Sequence, residues 1–380
     1  MKRIFLISIV AAVGLSVFLG GCEKEAAPEG EPIVIGSILR LSLGASDGIP
    51  AKRGIEIAVR HINADGGING RPLEVIFEDS QDKDTEAVNA ANKLISVDKV
   101  PVIIGPMKSG ETLAVAPIAE DNKIILITPT ATSPKVTDAG AYIYRGCSRI
   151  DTQVDALVNY AIEKYGAKKA AILFSKEPYG EGFKDLFVKY FGEKGVEVVA
   201  VESFMVGDKD FKAQLTKIAG TQFDILCIPG YLQETAPAVV QARMLGITAP
   251  TFGGYGDIAP LYIELAGPAG EGHVVSGEYD EGYDTPRNKE FVKEYYDIVN
   301  ADPNEPNNIM FAAITYDMTH IVADAMMEVG TDPTAIKVYL DNLKDYDGVT
   351  GKLSFDSSGD VQKGGIYLFE VKDGKYVNVK

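Results

Sequence analysis

The sequence predicts an α/β protein of two lobes, each built on a parallel sheet, and three observations carry that prediction. From Ile33 onward, short apolar runs alternate with amphipathic segments of helical period. About 350 residues follow the N-terminal segments, more than one hydrophobic core usually serves. The alternation breaks at Arg145 to Thr152, at Gly277 to Pro286 and at Gly348 to Asp356, which read as three crossings between lobes. Strands alternating with helices give a parallel sheet covered on both faces, because a parallel pair needs a connection long enough to hold a helix.

The elements follow in order. Ile33 to Leu39 is the first apolar run, and Ala51 to Asp65 then repeats Ile55, Ala58, Val59 and Ile62 on one helical face before Gly66-Gly67 ends it. Leu73 to Glu78 and Asp84 to Asp98 read as a strand and a helix. Asp79, Asp82 and Asp84 are taken as the polar start of that helix, since a calcium loop would need a Gly and a terminal Glu. Val100 to Ile104 and Ile124 to Thr128 are strands with a helix from near Glu111 between them, and the pattern continues through Ala170, Val196, Ile225 and Pro250. The last segment reads as two strands joined at Asp373-Gly374, a hairpin signal. Residues 32–147 plus 278–349 then form the first lobe, and residues 148–277 plus 350–380 the second.

Ahead of the lobes, Lys2 and Arg3 precede an apolar run, Ile4 to Phe18, that is short for a bilayer span and reads as a secretory signal. With Leu19-Gly20-Gly21-Cys22 behind it, residues 1–22 resemble a bacterial lipoprotein signal in which Cys22 takes the lipid. Residues 23–31, EKEAAPEGE, have no apolar face and read as a flexible tether. The expected location is the periplasm or the outer cell surface of a bacterium, with the membrane touched through the lipid anchor alone.

Composition and absent motifs narrow the function. A net charge of −17 argues against nucleic acid, which requires a surplus of Lys and Arg. Gly105 to Thr112 has glycine spacing close to that of a phosphate-binding loop, but Glu111 stands where the Lys must be. No GxSxG or HExxH occurs, and His61, His273 and His320 are too scattered to suggest a metal site. Cys147 and Cys227 read as buried thiols in preference to a disulfide. The expectation is a binding protein, not an enzyme, with no cofactor and no metal.

The candidate site is the stretch GPMKSGETLAVAPIAEDNKIILITPTATSP, Gly105 to Pro134, which puts hydroxyl-rich turns at the ends of two successive strands. In an open parallel sheet the ligand crevice lies outside the carboxyl ends of the strands, where helix N-termini offer unpaired N–H groups to an anion. Ser109, Thr130 and Thr132 add donors without adding charge. The competing reading is that Ser109 and Thr132 cap local structure.

Several segments in order, GIEIAVRHINADGGINGRPLEV, IIGPMKS, ITPTATSP, EPYGEGF and FAAITYD, resemble the type I periplasmic solute-binding proteins of branched-chain amino-acid ABC transporters, the leucine/isoleucine/valine-binding group. The resemblance runs from Ile33 to the C-terminus. It implies two Rossmann-like lobes joined by three crossovers that close on a ligand and present it to an ABC permease and its ATPase. It also implies that Ser109, Thr130, Thr132 and the Ala131 backbone hold the ligand carboxylate, that Tyr179 and Tyr231 close over it from the second lobe, and that Met107 and Phe311 line the side-chain pocket. Members of the group place an acid after the Gly-Gly near Phe252 to meet the ligand ammonium. Here Tyr255 stands at that position and Asp257 comes two residues later. Asp47 replaces a frequent aromatic residue, and Lys108 sets a cation beside Ser109. The expected ligand is a branched-chain or other aliphatic amino acid if Asp257 faces the cleft, and an aromatic or short aliphatic acid without an amine if it does not. Ligand sensing for a receptor is the other use of the same architecture.

Overall fold

A computed structural model describes residues 30–43, 45–302 and 306–379 of the chain. The signal segment, Cys22 and most of the tether lie outside the described residues.

The first βα series comprises β1 (Ile33–Leu39), α1 (Ala45–Ala64), β2 (Leu73–Asp79), α2 (Asp84–Ser96), β3 (Val102–Ile104), α3 (Ser109–Asn122), β4 (Ile125–Thr128) and β5 (Ile143–Arg145). These strands form one parallel sheet in the order β2-β1-β3-β4-β5. Period-two alternation divides it between two cores. Val102, Ile104, Ile125 and Ile127 face one apolar cluster, while Ile103 and Leu126 face the other. Helix α1 begins six residues before the expected Ala51, despite Pro50 inside it. Its first turn packs so tightly on the end of β1 that a Cβ at Gly48 would lie 2.1 Å from the Arg40 carbonyl oxygen. That approach carries Asp47 onto Arg40.

The second series comprises α4 (Ile150–Tyr165), β6 (Lys169–Ser175), α5 (Pro178–Glu193), β7 (Glu197–Phe204), α6 (Lys212–Ala219), β8 (Ile225–Cys227), α7 (Leu232–Met244), β9 (Thr251–Phe252), α8 (Pro260–Ala266) and β10 (Val274–Gly277). The chain then returns to the first lobe through α9 (Pro286–Val299), α10 (Ile309–Val329), α11 (Pro333–Asn342) and a small antiparallel sheet of β11 (Tyr346–Gly348), β12 (Gly351–Phe355) and β13 (Val361–Gln362). It ends in β14 (Tyr367–Lys372) and β15 (Lys375–Asn378), which add antiparallel strands to the second sheet, ordered β15-β14-β10-β9-β8-β6-β7. The turn between these last strands is Asp373-Gly374, both with positive φ, as a tight hairpin turn requires.

The expected third crossover needs correction. Leu353, Phe355 and Val361 belong to the first lobe's core, so residues 350–362 stay with that lobe and the crossing falls between β13 and β14. The Gly348 to Gly351 stretch is a hairpin turn and not a linker. Asp317 of α10 holds it, accepting from the Val349 and Thr350 N–H groups at 2.8 and 2.9 Å.

The three crossings converge on Glu278, which is buried. Its carboxylate accepts from the Ser148 N–H of the first crossing at 2.7 Å, and its other oxygen lies 3.2 Å from Lys363 Nζ of the third. Glu278 itself opens the second crossing. The two remaining cysteines, Cys147 and Cys227, are buried and unpaired, and burial pushes the Cys147 thiol up to about 12.

Candidate ligand-binding site

One pocket between the lobes gathers residues from both. The first lobe contributes Arg40, Asp47, Met107, Lys108, Ser109, Thr130 and Phe311, and the second contributes Tyr179, Tyr231, Tyr255 and Gly256. In this arrangement of the lobes the pocket is nearly filled by its own side chains, and the cavity left open to a water-sized molecule is about 20 Å³.

The floor is built from strand ends. Lys108 precedes the first turn of α3 in extended conformation, so Ser109 opens the helix beside its unpaired N–H groups. Ser109 Oγ accepts from the Ser133 N–H at 3.3 Å, and Thr130 Oγ1 donates to the Met107 carbonyl at 2.8 Å. The two turns therefore hold one another. Thr132 is buried behind them without lining the pocket, and its hydroxyl has no hydrogen-bond partner among the described residues. Ala131 is also set back. Its N–H donates to Thr128 Oγ1 at 3.1 Å and its carbonyl accepts from Arg145, so its backbone groups are engaged instead of facing a ligand, contrary to expectation.

The second lobe supplies aromatic rings. Glu177 caps α5 by accepting from the Tyr179 and Gly180 N–H groups, which fixes Tyr179 at the helix start. Tyr179 accepts from the Gly256 N–H through its hydroxyl at 3.0 Å and stacks on Tyr231 with ring centroids 5.1 Å apart. Tyr255 meets Phe311 of α10 edge to face at 5.7 Å. Its hydroxyl is buried beside the Cys147 thiol.

The pocket's remaining side is charged. Arg40 Nη1 lies 2.7 Å from Asp47 and its Nε 3.0 Å from Asp82, whose same oxygen meets Lys108 Nζ at 2.6 Å. Lys108 Nζ also stands 4.1 Å from the Tyr231 ring centroid, a cation–π distance that joins the lobes. Burial alone would lower the Arg40 pKa, but Asp47 and Asp82 outweigh it and the value rises. Glu111, in the first turn of α3, accepts from Ser80 Oγ at 3.2 Å. Burial pushes its carboxyl up to about 7, against the pull of Arg40 and Lys108.

Asp257 does not reach the pocket. Its carboxylate accepts from Thr235 Oγ1 at 2.5 Å and meets His273 Nε2 at 3.1 Å, fully buried in the second lobe. Tyr255 to Asp257 is a 3-10 turn of three residues per turn, so residues two apart point in different directions. With Tyr255 turned to the cleft, Asp257 is turned away. Arg40 sits just past a strand and carries no motif that would mark it in the sequence, and Asp82 is legible there only as a helix-start residue. Asp82 has a φ of 57° and Gln81 one of 49°, a left-handed pair stabilised in part by Asp79 accepting from the Gln81 N–H. That turn aims Asp82 at the two cations. Among the described residues no cluster of side chains fits a metal ion.

Two α/β lobes with a polar and aromatic pocket between them define a two-lobed solute-binding protein. The chain belongs to the periplasmic binding protein family, whose model matches residues 32–375. A leucine/isoleucine/valine-binding protein homologue of Brucella abortus is 30% identical over 337 residues, covering 87% of this chain and 89% of the relative. The leucine-binding protein LivK of Thermotoga maritima shares the fold with a TM-score of 0.85 at 31% identity, over 92% of this chain and 98% of that one. LivJ of Streptococcus pneumoniae, solved in complex with isoleucine, gives a TM-score of 0.83 at 32% identity, over 92% and 100% of the two chains. These relatives are named as binding proteins.

Proposed function

We propose that this protein captures a small amino acid between its lobes by hinge closure and delivers it to the permease of an ABC importer, held at the membrane by lipid on Cys22. The observation that carries this reading is a pocket in which Ser109 and Thr130, at two strand ends of one lobe, face Tyr179 and Tyr231 of the other. The Ser109 hydroxyl, which accepts from the Ser133 N–H and keeps its own proton to donate, and the helix N-terminus suit a carboxylate, with Lys108 adjacent and Thr130, whose proton goes to the Met107 carbonyl, lining the site. A ligand that touches both lobes stabilises their closed arrangement by its differential affinity for it. The relatives named for leucine, isoleucine and valine support an aliphatic amino acid.

Among the described lining residues the carboxylate is Asp47, and it takes the ammonium role once expected of Asp257. An ammonium buried without a carboxylate would be costly. The charges near the pocket also suit a zwitterion, since Arg40 and Lys108 are balanced by Asp47 and Asp82. A second reading has its own support: Asp47 is already paired with Arg40, which favours an acid lacking the amine.

A thermal-shift screen of residues 31–380, after unfolding and refolding to strip carried ligand, separates the two. A ligand at 100 times its dissociation constant adds about 2.7 kcal/mol of stability. Leucine, isoleucine or valine should stabilise the protein where the matching keto acids do not. Asp47→Asn should weaken the amino acid by about tenfold or more and should not weaken any keto acid binding, since it frees the Arg40 charge. Stabilisation by keto acids alone would select the second reading, and no response to either would remove the carboxylate assignment. Cys22→Ala should move the protein from the membrane to the soluble fraction, and continued membrane attachment would remove the lipid anchor.

A further inference from the structure

The geometry points to Arg145 as the residue that positions the carboxylate-facing turn, bracing it from behind and tying it to the crossings through Asp360; this rests on the reading that the turn after β4 meets the ligand. Arg145 ends β5 and is completely buried. A guanidinium there demands partners for its donors, since an unpaired charge in a core is costly. It finds them in one direction. Nη1 donates to the carbonyls of Ala131 and Ser133 at 3.2 and 2.9 Å, Nη2 to Thr137 Oγ1 at 2.9 Å, and Nε to Asp360 Oδ1 at 2.8 Å.

The two carbonyls flank Thr132, so the fork fixes the course of the turn that presents Thr130 to the pocket and that donates the Ser133 N–H to Ser109 Oγ. Asp360 in turn is shared. Its other oxygen accepts from Arg149 at 3.2 Å, on the first crossing, and its first accepts from Thr137 Oγ1 at 2.9 Å. Asp360 itself lies just before the third crossing, and the neighbouring Gly359 carbonyl accepts from the Arg145 N–H at 2.9 Å. The floor of the pocket and two of the three crossings thus meet at one buried ion pair. Planarity matters here, because a lysine at position 145 keeps the charge but cannot hold two carbonyls and a carboxylate at fixed angles.

The test uses Arg145→Lys in the mature protein, with two readouts. Amide exchange reports the turn directly: the Ala131 N–H, held by Thr128 Oγ1, and the Ser133 N–H should lose about tenfold or more of their protection, while the Leu126 N–H in the adjacent strand keeps its own. Titration with L-leucine and with its keto acid reports the site, and affinity for whichever binds the wild type should fall by about tenfold. Leu340→Ala, in the core of the same lobe, serves as the control that loses stability without loosening the turn. If Arg145→Lys does not fold, Asp360→Asn takes its place, with the same loss of turn protection expected. Turn amides protected as in the wild type would overturn the assignment, as would a loss of protection spread evenly over the lobe and matched by Leu340→Ala. If neither compound binds the wild type, the ligand reading fails while the exchange measurement still decides the brace.

Discussion

Glu111 shows how one side chain can change meaning between sequence and structure. In the sequence it serves to exclude a phosphate-binding loop, because an acid stands where a Lys is needed. In the fold it is 1% exposed, with one carboxyl oxygen bonded to Ser80 and the other lacking a hydrogen-bond partner among the described residues. Its carboxyl is raised from 4.5 to about 7. The native state therefore keeps a proton that the unfolded chain gives up near 4.5, and stability falls as pH rises between those two values, then levels off. The loss is on the order of 3 kcal/mol. Glu111→Gln should remove that slope and raise stability at pH 8 relative to the wild type. Urea unfolding at pH 5 and pH 8 measures it, and parallel slopes in both proteins would mean that Glu111 ionises normally.

At the scale of elements, the strand ends were legible and the turns were not. Ser109 and Thr130 lie where apolar runs stop, so the geometry of parallel sheets was enough to bring them together, whereas Met107 and Phe311 came only with the family resemblance. Asp47 reached the pocket through an early start of α1 that Gly48 and Pro50 disguise as a loop. Asp257 was lost from it by the three-residue period of a short turn. The third crossing was misplaced because glycines at 348 and 351 signal a hairpin as readily as a hinge. Such positions depend on packing partners outside their own element, here Arg40 for Asp47 and Asp317 for Val349 and Thr350. The turn after β9 offers a test of its own. A Cβ on Gly256 would lie 2.7 Å from the Gly230 carbonyl and 3.3 Å from both the Tyr179 hydroxyl and the Tyr231 ring. Gly256→Ala should push these tyrosines, cost about 1–3 kcal/mol of stability as overpacking does, and weaken ligand binding by about tenfold. Calorimetric titration with unchanged affinity would mean that the turn shifts as a unit without disturbing the rings.

For the whole molecule, the proposed hinge closure would make the arrangement of the lobes a variable that the pocket alone does not fix. Three chain segments cross between them, and Glu278 touches all three while lying outside the ligand pocket. Its pairing with Lys363 ties the second crossing to the third, and the Ser148 N–H ties it to the first. Glu278→Gln keeps an acceptor for Ser148 but leaves the Lys363 ammonium without its counter-charge. An uncompensated buried charge is relieved by movement toward water, and in this fold that movement separates the crossings. The binding-competent arrangement then becomes a smaller fraction of the unliganded protein, and apparent affinity falls by that same fraction although no ligand contact has changed. X-ray scattering should show a larger radius of gyration for the variant without ligand and the wild-type value at saturation, with affinity about threefold to tenfold weaker. A variant that matches the wild type in radius with and without ligand, and in affinity, would mean that Glu278 only fastens the crossings and has no part in setting the balance between open and closed lobes.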